Sequence, residues 1–166
     1  DGLQQWLDRV FTDRPNDVYG LLVALSSIIH HEFTYSRREA RGTQTALTTV
    51  ERRSGTCRDF AFLFMECARL FGFAARFVTG YLHVRDDDDE TGFTGGGSTH
   101  AWADIYVPGE GWLEFDQTNL IDDNQALIRI AVTRTPLQAT PLTGTYSRHE
   151  GQFLDMEVTV DVSAVP

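Results

Sequence analysis

The chain has 166 residues, 42% hydrophobic and 11% aromatic, a composition that excludes a disordered or fibrous protein. Its length fits one domain of about 150 residues, enough to bury a core without metal or disulfide staples. A net charge of −10, with five acids in the run Asp86–Glu90 and no basic cluster, excludes duplex nucleic acid as a partner.

No apolar run reaches the ~20 residues of a membrane span; the longest, Leu21–Ile29, is broken by Ser26 and Ser27. No signal-peptide pattern follows Asp1. If Cys57 and Cys67 share a helix, ten residues separate them by ~15 Å, beyond the ~7 Å limit for a disulfide. Two unbridged cysteines fit a reducing compartment, so a cytoplasmic location is expected.

In chain order, Pro15-Asn16-Asp17 reads as a helix start with Asn16 as cap. Val18, Leu21, Leu22, Leu25, Ile28 and Ile29 then recur at helical spacing, and His30-His31 close the helix as a solvated terminus. A short helix over Ala46–Arg53 follows, capped by Thr45 and ended by Ser54-Gly55, with Gly55 as the left-handed residue. The next helix has Thr56 as cap and Phe60, Leu63, Phe64, Cys67 and Phe71 as its stripe. Ala61, Phe62, Met65 and Ala68 make it apolar nearly all round, so it is expected to be central and buried; Gly72 stops it.

The period then becomes two. Arg76–Val84, Thr99–Val107 and Gly111–Thr118 read as strands, with Leu127–Val132 and the alternating segment 156–162 as further ones. Pro108-Gly109-Glu110 is a hairpin signal, and Arg85–Ser98 an acidic, then glycine-rich loop. Helices first and an antiparallel sheet afterwards make an α+β fold.

Cys57 is the most informative position. At the first turn of the buried helix, unpaired N–H groups and the positive dipole end favour a thiolate and could hold an oxyanion. Cys67, on the apolar stripe of the same helix, reads as a small core residue. Of the five histidines, His30, His31, His83 and His149 fall near element ends or loops, whereas His100 begins a strand.

A three-residue loop at 108–110 pairs Val107 with Gly111, Ile105 with Leu113 and Ala103 with Phe115 on one apolar face. His100, Trp102, Asp104 and Tyr106 then share the other face with Trp112, Glu114 and Asp116. Asp116 falls diagonal to His100 and within reach of its side chain. Asp104 falls opposite Glu114, a like-charge pair for which Arg76 on a neighbouring strand is the expected cation. The pattern is that of a thiol nucleophile, Cys57, with His100 as base and Asp116 orienting the imidazole.

Three segments resemble the core motifs of the bacterial transglutaminase-like family: Gly55-Thr56-Cys57-Arg58-Asp59-Phe60-Ala61, His100-Ala101-Trp102-Ala103-Asp104 and Trp112-Leu113-Glu114-Phe115-Asp116-Gln117-Thr118-Asn119. Phe33-Thr34-Tyr35, Phe73–Tyr81 and the stretch 141–146 resemble the same proteins. The resemblance implies a papain-like α+β core with Cys57, His100 and Asp116 as catalytic triad. It implies residues 1–166 as a single catalytic domain, without the β-rich segment that often precedes it. Gln117 stands where the family usually has Pro, and Asp104 where Glu is more common.

The expected activity is acyl transfer or hydrolysis on a peptide or protein amide through an acyl-cysteine, with no metal and no cofactor. The other reading is a catalytically silent binding or scaffold module of the same fold. Zinc is disfavoured, because the sequence holds no CxxC or HxxxH pair. Arg58 and Asp59 read as ion-pair and helix-terminus groups, and Trp102 and Trp112 as packing residues. The acidic run lacks the alternating ligands of a calcium loop; it reads as a solvated surface loop, or as part of a flap over 86–97 that selects basic peptides. Oligomeric state is not encoded in any of these features.

Overall fold

A computed structural model describes residues 2–38, 42–83, 99–120, 127–140 and 159–160. The acidic and glycine-rich loop, the stretch 141–146, His149 and nearly all of the segment 156–162 lie outside them.

Four helices precede the main sheet. Helix α1, Gly2–Val10, has no counterpart in the sequence reading; it buries Leu3, Trp6 and Leu7, spaced i, i+3, i+4. Helix α2 spans Val18–Glu32 and is capped by Asp17, not Asn16: the Asp17 carboxylate accepts the Gly20 N–H at 2.6 Å. Helix α3 is Ala46–Arg52, with Thr45 capping as expected. Its left-handed end residue is Arg53, at φ 51°, rather than Gly55. Gly55 lies instead in the two-residue strand β2, Ser54–Gly55, which pairs in parallel with β1, Thr34–Tyr35.

Helix α4, Cys57–Leu70, is the centre of the core, as its apolar circumference predicts. Phe60, Ala61, Leu63, Phe64, Met65, Cys67 and Ala68 are all buried. It ends in a Schellman motif: Gly72, at φ 93°, donates to Arg69 O, and Phe73 N–H to Ala68 O.

The main sheet has the order β5-β4-β3-β6, antiparallel throughout, from β3 (Ala75–Leu82), β4 (Thr99–Val107), β5 (Gly111–Phe115) and β6 (Leu127–Thr133). The first strand starts and ends slightly earlier than expected, and β5 stops at Phe115 instead of Thr118. The β4–β5 register is the one expected, with Val107 opposite Gly111, Asp104 opposite Glu114 and Ala103 opposite Phe115. Helix α4 covers the odd-numbered face through Phe77, Ala101, Ala103 and Ile105, all buried with it in one core. The even-numbered face carries His100, Trp102 and Asp104.

Gly80 sits in β3 opposite His100, at a register irregularity with β6. A Cβ there would lie 1.9 Å from the carbonyl oxygen of Ile128 and 3.0 Å from the Trp102 ring. Only glycine lets β6 and Trp102 approach this strand together.

Candidate active site

Cys57 is the first residue of α4 and is nearly buried, at 8% exposure. The N–H groups of Asp59 and Phe60 bond back to Thr56 O, which leaves those of Cys57 and Arg58 without an acceptor inside the helix. Such donors at a helix start favour an anion nearby, on the sulfur or on an attacked carbonyl.

The helix start is fixed by Asp59, which is fully buried. One carboxylate oxygen accepts the N–H and hydroxyl of Thr56 at 2.9 and 3.0 Å; the other accepts the Gln44 N–H at 2.7 Å. Arg38 Nη2 lies 2.9 and 3.0 Å from the two oxygens. Gln44 in turn donates to Ser54 O at 3.0 Å and accepts from Arg52 at 3.1 Å. The expected ion-pair and helix-terminus role of Asp59 holds, whereas Arg58, read the same way, is exposed and has no ion pair among the described residues. Arg38 and Gln44, which supply its partners, carry no sequence signal.

His100 is buried, and its Nε2 lies 2.7 Å from Asp116 Oδ2. Asp116 is itself held: Oδ1 accepts the Thr118 N–H and Oδ2 the Asn119 side-chain amide, both at 2.9 Å. The following Gln117 carbonyl meets His30 Nδ1 at 3.2 Å, so His30, expected to be a solvated helix end, is half-buried against the turn.

The other ring nitrogen of His100, Nδ1, is buried and has no conventional hydrogen-bond partner among the described residues. Cys57 is nevertheless close enough to act on the ring. Burial opposes charge on His100, but the Asp116 hydrogen bond and the neighbouring Cys57 outweigh it and push the pKa up to about 10. Cys67 shows the contrast: burial, with the Glu66 charge adding to it, drives its thiol far above the ordinary range. Both cysteines are free.

Trp102 stacks on His100, with ring centroids 6.2 Å apart and planes 27° apart. Its indole N–H donates to Glu114 Oε1 at 3.3 Å, so Trp102 is a satisfied packing residue, as expected. Arg76 Nε donates to buried Asp104 at 2.9 Å, the expected partner across strands. Arg129, from β6, was not foreseen: it lies 3.4 Å from Asp104 and also bonds Glu114, so one guanidinium bridges the like-charged pair. Burial still raises the Asp104 pKa against both arginines, with Glu114 adding to it. Arg76 further covers the Trp112 ring at 4.0 Å.

Tyr35 lies beside the start of α4. Its ring meets Phe60 edge-on at 6.4 Å, and its backbone lies opposite Gly55, two residues before Cys57. Burial and then the Cys57 and Asp116 charges raise its phenol pKa, while Arg37 and Arg58 lower it.

Among the described residues no cluster of His, Cys, Asp and Glu has the makings of a metal site, and no helix is long and apolar enough to cross a membrane.

Comparison with known proteins agrees with this architecture. An uncharacterised protein of Mycobacterium tuberculosis is 35% identical over 147 residues, covering 82% of this chain and 45% of that one. The chain therefore spans about half the length of the curated relatives it matches. A candidate cysteine protease from Cytophaga hutchinsonii superposes with a TM-score of 0.67 at 28% identity, covering 83% of this chain and 44% of the other. The periplasmic domain of TgpA from Pseudomonas aeruginosa shares the fold, with a TM-score of 0.51 at 24% identity over 72% of this chain and 44% of its own. The transglutaminase-like superfamily pattern matches residues 5–117, from within α1 to just past β5. The chain belongs to the transglutaminase-like superfamily and has its papain-like α+β core.

Proposed function

We propose that the chain is a thiol enzyme acting on peptide or protein amides, with Cys57 as nucleophile, His100 as general base and acid, and Asp116 as the group that orients the imidazole. The observation that carries this reading is the buried contact of His100 Nε2 with Asp116 Oδ2 at 2.7 Å, which leaves Nδ1 for the sulfur. Cys57 Sγ, having given its proton to Nδ1, attacks the carbonyl carbon, and the oxyanion forms beside the free N–H groups of the α4 start. Collapse breaks the C–N bond; the proton passes from His100 to the leaving nitrogen, and the acyl group remains on sulfur as a thioester. Water or an amine then attacks the thioester, returning a proton through His100 to the thiol. No metal or cofactor takes part in these steps. Two unbridged cysteines suit a compartment that keeps thiols reduced, and a cytoplasmic setting satisfies that condition.

Mass spectrometry of a glutamine peptide incubated with and without a primary amine tests the reading. A single-dalton gain means deamidation, an amine adduct means transfer, and chain cleavage means proteolysis. A protein that yields none of these, and whose Cys57 alkylates no faster than a free thiol, is the silent module.

A further inference from the structure

Two pairs of neighbouring residues divide their labour at the start of α4. In Arg37-Arg38, the second side chain turns inward to the Asp59 carboxylate, and in Arg58-Asp59 it is again the second that turns inward. That buried ion pair leaves the first member of each pair, Arg37 and Arg58, exposed. Among the described residues neither is engaged in an ion pair. Both lie by the start of α4: Tyr35 pairs with Gly55, the Ser36 N–H donates to Gly55 O at 2.8 Å and Arg38 reaches Asp59, and the Tyr35 phenol feels the charges of Cys57, Arg37, Arg58 and Asp116. Arg58 is also next to Cys57 on the first turn of α4, and Arg37 follows Tyr35 on the segment that β1 anchors to Gly55.

Two exposed arginines beside the nucleophile's end of α4 are unexpected on a chain of net charge −10, whose overall field repels anions. We infer that Arg37 and Arg58 form a recognition site for carboxylate side chains, so that the acyl donor is an acidic peptide segment with Asp or Glu flanking the reacting amide. Guanidinium groups suit that role because they present planar, paired donors to a carboxylate. This substrate class rests on the thiol-enzyme reading above and narrows it. It is opposite to the preference for basic peptides that the acidic run 86–90 alone would suggest.

The test uses two alkylating agents of the same reactive carbon, one anionic (iodoacetate) and one neutral (iodoacetamide). Labelling of Cys57 is followed by mass spectrometry of its peptide at low and high salt. The iodoacetate-to-iodoacetamide rate ratio, normalised to a small free thiol, is expected to fall about fivefold in the double variant R37Q/R58Q, the effect of two exposed charge contacts. It is expected to shrink likewise in the wild type in ~1 M salt, where the Debye length is ~3 Å. An unchanged ratio in the double variant, with normal circular dichroism, overturns the recognition site. Loss of His100 dependence is a separate outcome: if H100A labels as fast as wild type with iodoacetamide, the thiol-enzyme reading falls first. Glutamine peptides flanked by Glu or by Lys provide the second readout. Equal kcat/KM for the two refutes the acidic preference even where catalysis is intact.

Discussion

His100 Nε2 and Asp116 Oδ2 lie 2.7 Å apart although the residues are 16 positions apart in the chain, because the β4–β5 hairpin puts them on one face. The buried carboxylate holds the charged form of the ring. His100 is therefore expected to remain an imidazolium well above the ordinary 6.5, toward about 10. Because its folded-state pKa is raised, its contribution to stability is complete below pH 6.5 and is lost as the pH climbs through about 10. NMR titration of the His100 ring checks this. D116N should bring the midpoint down and reduce kcat by about 10²- to 10⁴-fold, since the ring loses both its orientation and its counter-charge.

Iodoacetamide should modify Cys57 and spare Cys67 in the native protein. Cys67 is fully buried, and its burial raises the thiol pKa far above the working range. Peptide mapping reads this directly, and modification of Cys67 should begin only as denaturant unfolds the chain.

D59A should cost about 3 kcal/mol, the range found when one partner of a buried ion pair is removed. Asp59 has no exposed surface and Arg38 is only 23% exposed on its side chain, so the abandoned guanidinium is poorly solvated. The loss should appear as a lower urea midpoint with an unchanged m-value.

R129M should destabilise more at pH 7 than at pH 4. Arg129 bridges Asp104 and Glu114, which stand directly opposite each other on adjacent strands. Without it two carboxylates repel when both are ionised, and acid relieves the repulsion by protonating one. Because the Arg129 side chain is 38% exposed, solvent screening holds the neutral-pH cost to about 1 kcal/mol. Thermal melts at the two pH values measure the difference.

G80A should cost about 3 kcal/mol, because the added methyl would meet the Ile128 carbonyl oxygen at 1.9 Å and force β6 away from β3. Amide exchange in Leu127–Thr133 should accelerate more than in α4.

The helices and the hairpin were legible where local chemistry is decisive. Apolar spacing marks α4, Gly72 marks its end, and Pro108-Gly109-Glu110 fixes a register in which Asp116 must meet His100. What escaped depends on residues distant in sequence. Helix α1 is short and its three core side chains acquire meaning only against the rest of the core. Arg38, Gln44 and Arg129 are ordinary polar residues until tertiary folding delivers them to Asp59, Asp104 and Glu114. Asp17 outcompetes Asn16 as cap by one position, a choice that propensity alone does not make.

The turn at Pro108–Glu110 governs what kinds of change the site tolerates. Replacing a residue there alters little besides local conformation, but inserting or deleting one would rotate Asp116 to the side occupied by α4. Such a lineage would retain cysteine, histidine and aspartate in their proper order and still lose the His100–Asp116 contact on which the proposed triad rests. Under the proposed function, the length of this hairpin in a homologue is thus a sharper criterion than the presence of the three residues.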